Sequence, residues 1–222
     1  TDSDGTTTDS CLSTSISSRQ SARSSNDYAY GVATDSSGNV YVAGGTNGGL
    51  DGNTNAGNTD LFVVKYNSSG TKQWTRQLGS SSRDSANGVA TDSSGNVYVT
   101  GMTNGGLDGC KNAGIEDLFV VKYNSSGTKQ WTNQLGSSSR DSADDVATDS
   151  SGNIYVTGTT YWELDGNTSA GKADLFVVKY NSSGTKQWTK QFGTPSTDTA
   201  NGVATDSSGN VYVAGGTYGG LD

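Results

Sequence analysis

Any chemistry in this chain has to be done without imidazole, because none of its 222 residues is histidine. That removes Ser–His–Asp and Cys–His nucleophile pairs, and with them every metal site built on imidazole. The two cysteines, Cys11 and Cys110, are too few for a disulfide framework and wrongly spaced for zinc. What remains is oxygen and aromatic chemistry. The stretch LDGNTNAGNTD from Leu50 offers Asp51, Asn53, Asn55 and Asp60 at alternating spacing, with Gly57 permitting a sharp turn. Oxygen ligands in that pattern suit Ca2+, the one cofactor the sequence raises. Two further copies weaken it: LDGCKNAGIED puts Cys110 at the Asn53 position, and LDGNTSAGKAD puts Ser169 at the Asn55 position. The plainer reading is a set of Asx turns satisfying backbone amides, with Asp60, Asp117 and Asp174 capping the start of a strand.

A second constellation is aromatic. Tyr161-Trp162-Glu163 stands where the other copies have Asn47-Gly48-Gly49 and Asn104-Gly105-Gly106, and Tyr218 recurs at the last copy. An aromatic pair beside Glu163 and Asp165 is the chemistry of sugar recognition: rings stack on C–H faces while amides and carboxylates bond to hydroxyls. The candidate ligand-binding set is therefore Tyr161, Trp162, Glu163, Asp165, Asn47, Asn104 and Tyr218. The competing reading has Trp162 folded over a neighbouring loop as a hydrophobic lid. A glycosidase would need two carboxylates about 5 to 10 Å apart. Asp144, Asp145 and Glu163 are the only set so suggested, and nothing in their spacing demands it, so the expectation is a protein that is not an enzyme.

These residues are positioned by a repeat. DLFVVKYNSSGTKQWT begins at Asp60 and returns letter for letter at Asp117 and Asp174, a period of 57 residues. A catalytic pocket needs one copy of each special residue, whereas equivalent packed panels need the same residue in each. Within a unit four extended runs appear, in the first copy Gly31 to Asp35, Asn39 to Gly44, Leu61 to Tyr66 and Lys72 to Leu78. Val, Tyr, Phe, Trp and Thr fill them, and the second and fourth alternate like half-buried strands. LFVV is apolar on both faces, as a strand between two sheets must be. DSSGN and NSSGT join the runs as hairpin turns, and two hairpins make a four-stranded antiparallel meander.

Such a sheet cannot bury both faces alone, so the fold class expected is all-β, a β-propeller of stacked four-stranded antiparallel blades. An antiparallel solenoid is the rival. Openings at Gly31, Gly88, Asp145 and Gly202 count four blades: 31–87, 88–144, 145–201, and the inner strands of the last at 202–222. Residues 1–30 have the length to supply its two outer strands and close the ring, the whole chain forming one domain. Their match is thin, with Ser17 where Trp74 would stand, and Arg19-Gln20 alone keeping the register of Arg76-Gln77. That alignment sets Cys11 and Cys110 on opposite faces, beyond disulfide reach. A fragment of a larger wheel, or two chains pairing into one, remains the alternative, and the oligomeric state is open.

A net charge of −8 repels nucleic acid and anionic membrane surfaces over a Debye length, and no apolar run approaches the roughly 20 residues of a membrane-crossing helix. Few lysines with abundant Thr and Asn suit a secreted or cell-surface protein. GVATDSSGNVYVTG followed by DLFVVKYNSSGTKQWTRQLG resembles the bacterial SBBP family of β-propeller repeats over about residues 31 to 222. That resemblance implies a propeller in secreted or surface proteins of bacteria and brings neither catalytic residues nor an agreed ligand. The function expected is a non-enzymatic extracellular binding or adhesion module, lectin-like, using the face that carries the long loops to take a glycan or protein surface. A purely structural repeat protein and a glycan-processing enzyme are the alternatives.

Overall fold

The computed structural model describes residues 25–220, and within them lie fourteen strands and one 3-10 turn, Leu107–Gly109. The first sheet is β1 (Asp27–Thr34), β2 (Val40–Thr46), β3 (Asp60–Tyr66) and β4 (Lys72–Leu78). The second is β5 (Asp84–Thr91), β6 (Val97–Thr103), β7 (Asp117–Tyr123) and β8 (Lys129–Leu135). The third is β9 (Asp141–Thr148), β10 (Ile154–Thr160), β11 (Asp174–Tyr180) and β12 (Lys186–Phe192), and β13 (Asp198–Thr205) pairs with β14 (Val211–Thr217). Each is an antiparallel meander in chain order, three of four strands and one of two. These are the blades expected from the repeat. Asp27–Tyr30 belong to the first inner strand; residues 1–24 of the proposed closing segment, with Cys11, Ser17 and Arg19-Gln20, lie outside the described residues.

Both hairpin turns are built by side chains, as their sequences require. Asp35 Oδ1 accepts the amides of Ser37 at 2.9 Å and Asn39 at 3.0 Å, while Oδ2 takes the Tyr41 hydroxyl at 2.9 Å. Asn67 Oδ1 accepts the amides of Ser69 and Thr71 at 3.1 and 2.8 Å. A short polar side chain thus replaces backbone partners that a two-strand turn lacks.

The core lies between sheets. Tyr41, Ala43, Leu61 and Val63 of the first blade pack against Val97, Val99, Phe119 and Val121 of the second. Tyr98, Leu118 and Val120 pack in the same way against Ile154, Val156, Phe176 and Val178 of the third. LFVV is apolar on both faces because each face meets a different sheet, and every such side chain contributes about 1.5–3 kcal/mol by leaving water.

Polar contacts at the 57-residue period bind each sheet to the next. Thr91, Thr148 and Thr205 each donate through Oγ1 to the carbonyl of the threonine 57 residues earlier, at 3.0, 2.9 and 2.8 Å. On the tight-turn face, Trp74 lies against the second blade's NSSGT turn so closely that a Cβ on Gly127 would stand 2.9 Å from its ring; Gly127 also has φ +78°. Arg76 Nε donates to Gly127 O at 2.6 Å, and Lys65 Nζ reaches Ser125 O at 3.2 Å while lying 5.3 Å from the Tyr41 ring centroid. Lys65, and Lys122 through Ser182 O at 2.9 Å, therefore tie one blade to the turn of the next. Trp74 and Trp131 pack onto the core clusters, as their recurrence implies.

Inner strands start earlier than their apolar pattern indicates, because each runs through a bulge, at Ala86/Gly88 in the second blade. The bulged backbone closes on the facing strand, where a Cβ on Gly101 would sit 2.0 Å from Ser85 O. Gly101→Ala is expected to cost roughly 3 kcal/mol or more, read as a lowered midpoint in denaturant unfolding. Gly109→Ala, in open space at φ +82°, is expected to cost only about 1 kcal/mol.

Candidate functional site

The loop between second and third strands and the linker to the next blade emerge side by side. Parallel bridges join Thr59 to Arg83, Glu116 to Arg140, and Ala173 to Thr197. The second strand continues past its end to pair with the same linker: Asn104 N donates to Arg83 O at 2.9 Å, Tyr161 N to Arg140 O at 2.9 Å, and Tyr218 N to Thr197 O at 3.0 Å. A ribbon of hydrogen-bonded backbone thus crosses this face from blade to blade, and the positions along it vary in sequence while the scaffold beneath repeats.

Each long loop is clamped from below by one glutamine. Gln77 Oε1 accepts from Leu50 N at 2.9 Å, and its Nε2 donates to Gly48 O at 3.0 Å and to Asp60 Oδ2 at 2.8 Å. Gln134 and Gln191 repeat the pattern onto Asp117 and Asp174. Asp60 also accepts the Ala56 amide at 2.8 Å, which is the strand cap read from the sequence. Asp84 accepts Ser80 N and Asp141 accepts Ser137 N, both at 2.6 Å, so these buried carboxylates hold the linkers.

This network gives the proposed metal donors different partners. Asp51, left-handed at φ 51°, pairs with Lys72 and accepts Thr75 Oγ1, both at 2.5 Å. Asn53 Nδ2 bonds to Leu50 O at 2.7 Å, Asn55 Nδ2 to Gly57 O at 2.7 Å, and Asp60 to Gln77. Asn55 Oδ1 and Asp60 Oδ1 are buried without a hydrogen-bond partner, and no cluster of three His, Cys, Asp or Glu side chains suited to a metal occurs among the described residues. Cys110 is a half-buried free thiol.

Of the ligand candidates, three are held by the fold. Asp165 pairs with Lys186 and accepts Thr189 Oγ1 at 2.6 Å. Asn47 Oδ1 accepts Thr59 Oγ1 at 2.8 Å, and Asn104 Nδ2 donates to Ile115 O at 2.8 Å. Tyr161, Trp162 and Tyr218 are 48%, 54% and 85% exposed, and Glu163 beside them is exposed. The backbone of Trp162 is fixed, with Trp162 O accepting from Thr160 Oγ1 at 2.9 Å, and about half of the residue is exposed.

Other residues of this face were missed. Ile115, 55% exposed, bonds through its amide to Ser139 O at 2.9 Å, next to the Arg140 carbonyl that takes the Tyr161 amide. Its signal was available: the copies place Asn58 and Lys172 at that position. Half-buried Glu116 lies between Arg83 and Arg140. Burial raises its carboxyl, the two arginines lower it, and Asp141 raises it. Asp144, the bulge residue of β9, is pushed up to about 6, first by burial and then by Asp145 and Glu116. Asn87, its counterpart in the second blade, donates Nδ2 to Ala143 O at 2.9 Å, a bond for which an ionised Asp144 has no proton. Asp145 spends its carboxylate on Val203 N at 2.9 Å.

The beta-propeller repeat model of the SBBP family matches residues 17–51, 73–108, 130–161 and 187–222. The chain belongs to the SBBP family of β-propeller repeats. Matches begin in or at the position of a fourth strand and run through the next blade's two inner strands, so the family's sequence unit straddles two sheets. The chain is also 29% identical over 196 residues to "Regulatory protein FlaEY" of Caulobacter vibrioides, covering 79% of this chain and 20% of that protein. It is 27% identical over 186 residues to "Uncharacterized WD repeat-containing protein L264" of Acanthamoeba polyphaga mimivirus, covering 66% of this chain and 13% of that one. The chain thus spans a fifth or less of the length of these relatives.

Because the folded-state pKa of Asp144 lies above the ordinary carboxylate value of 3.8, folding favours its protonated form. That contribution is complete below about pH 4 and is lost as pH rises through about 6. Asp144→Asn is expected to raise stability at pH 7 by on the order of 1 kcal/mol and to leave it unchanged near pH 4. Urea unfolding of both proteins at the two pH values checks this.

Proposed function

We propose that this SBBP repeat domain is a non-enzymatic recognition module, carried outside the cell, whose loop face binds a glycan through Tyr161 and Trp162. One observation carries the reading: on a face where Asn47, Asn104 and Asp165 are all occupied within the fold, two adjacent aromatic rings are left about half in water. Exposed aromatic rings beside a free carboxylate, on backbone fixed by interblade pairing, form a preorganised stacking platform. Glu163 supplies an acceptor for sugar hydroxyls, and Tyr218 one blade away extends the surface.

A second reading rests on Ile115. An exposed aliphatic side chain next to the linker that pairs with Tyr161, with Arg140 between them, suits a protein surface better than a sugar. The names of the two relatives, a regulatory protein and a WD repeat-containing protein, favour that reading for the same face.

A glycan array probed with and without chelator separates them. Binding insensitive to chelator and weakened about tenfold or more by Trp162→Ala, with unfolding midpoint unchanged because the ring is exposed, is the expected result. Binding untouched by Trp162→Ala, or no glycan binding at all, removes the glycan reading.

A further inference from the structure

Between the outer strands of the first and second blades lies a cleft of about 390 Å³, whose lining includes Arg76 and Leu78 of β4, Tyr123 of β7, Thr128 of the NSSGT turn and Lys129 of β8. Its size is that of a small-molecule site. No carboxylate lines it, in a chain whose net charge is −8.

The Arg76 guanidinium is fixed there without being neutralised. Nε donates to Gly127 O at 2.6 Å, Nη1 to Thr75 O at 2.8 Å and Nη2 to Ser126 O at 3.4 Å, and the group lies 5.4 Å from the Trp74 ring centroid. All three acceptors are uncharged carbonyls, and Arg76 forms no ion pair with a carboxylate among the described residues. Each terminal nitrogen carries a further N–H, so a held guanidinium keeps donors for an anion. Tyr123 is only 2% exposed, yet its hydroxyl makes no hydrogen bond among the described residues. Burial and then Asp108 push that phenol up, with Arg76 opposing them, so it remains a donor at neutral pH. Buried polar groups as a rule have partners, and this one lines a cleft beside an unneutralised cation. Lys129, paired with Asp108, adds a second ammonium, while Leu78 and the Tyr123 ring form an apolar wall.

The second seam isolates the residue that differs. Leu135, Tyr180, Thr185 and Lys186 recur there one period later, with Asn133 in place of Arg76. Asn133 Nδ2 donates to Gly184 O at 2.8 Å, as Arg76 Nε donates to Gly127 O. Seating the turn therefore needs only an amide, and the charge and remaining donors of Arg76 exceed that need.

We propose that this cleft between the first and second blades binds a small organic carboxylate, held by Arg76 and the Tyr123 hydroxyl with its apolar body against Leu78 and the Tyr123 ring. The site is separate from Tyr161 and Trp162 and does not depend on what they bind.

Titration of the full chain with benzoate, followed through the amide NMR shifts of Gly127, Thr128 and Lys129, tests this, with benzamide as the uncharged isostere. Saturable shifts are expected with benzoate, and affinity about tenfold or more lower with benzamide. Arg76→Asn, which copies the second seam, weakens benzoate binding by about tenfold or more with the unfolding midpoint nearly unchanged. Tyr123→Phe, which breaks no hydrogen bond within the fold, weakens it by about tenfold. Asn133→Arg brings saturable shifts to Gly184, Thr185 and Lys186. Equal affinity for benzoate and benzamide, tighter binding of inorganic phosphate, binding undiminished in both R76N and Y123F, or no saturable shift overturns the proposal.

Discussion

The seating of the second and third blades' NSSGT turns on the preceding blade's tryptophan is the contact on which the rest depends. It demands a ring of fixed size on the fourth strand, a glycine where a Cβ would strike that ring, a lysine on the third strand and a donor at the position of Arg76. Those demands fall within one contiguous segment and apply equally to every copy. A sixteen-residue stretch is therefore held letter for letter at Asp60, Asp117 and Asp174. Apolar burial between sheets supplies the driving force but tolerates exchange, as Leu78 and Phe192 at equivalent positions illustrate; the turn-on-ring contact supplies the register.

Sequence variation gathers where that demand is relaxed. The opposite face is held by backbone pairing between loop and linker, with a glutamine and an aspartate clamping each loop from beneath. Backbone pairing asks nothing of the side chains that point outward. Positions 47, 104, 161 and 218 can thus change from Asn to Tyr, and 58, 115 and 172 from Asn to Ile to Lys, without disturbing a strand. One half of the rim is polar and the other aromatic, on one scaffold.

The strands, turns and blade order were legible because periodicity and turn chemistry are local. LFVV, DSSGN and NSSGT each carry their own explanation. The start of the inner strands was not, since Asp84-Ser85-Ala86 lacks an apolar alternation and is held by a buried carboxylate and a bulge. Nor was the work of Lys65, because its partner is a carbonyl 60 residues away in another sheet. In the candidate site, the variation at Tyr161-Trp162-Glu163 was readable by comparing copies. That Asp51 and Asp60 belong to different networks was not, because alternating spacing along a loop does not say which strand each side chain turns toward.

Two tryptophans at the same repeat position separate this account from one based on burial alone. Trp131 lies under the third blade's turn, where a Cβ on Gly184 would stand 2.9 Å from its ring, while Trp188 has no turn seated on it among the described residues and is 37% exposed. Both pack beside an equivalent tyrosine, at 6.1 and 6.2 Å between centroids. Denaturant unfolding of Trp131→Ala and Trp188→Ala is the direct measurement. A cost of about 3 kcal/mol or more for the first and about 1 kcal/mol for the second is the result predicted. Equal costs would mean that the interblade seat contributes nothing beyond the packing within each sheet, and would contradict the account.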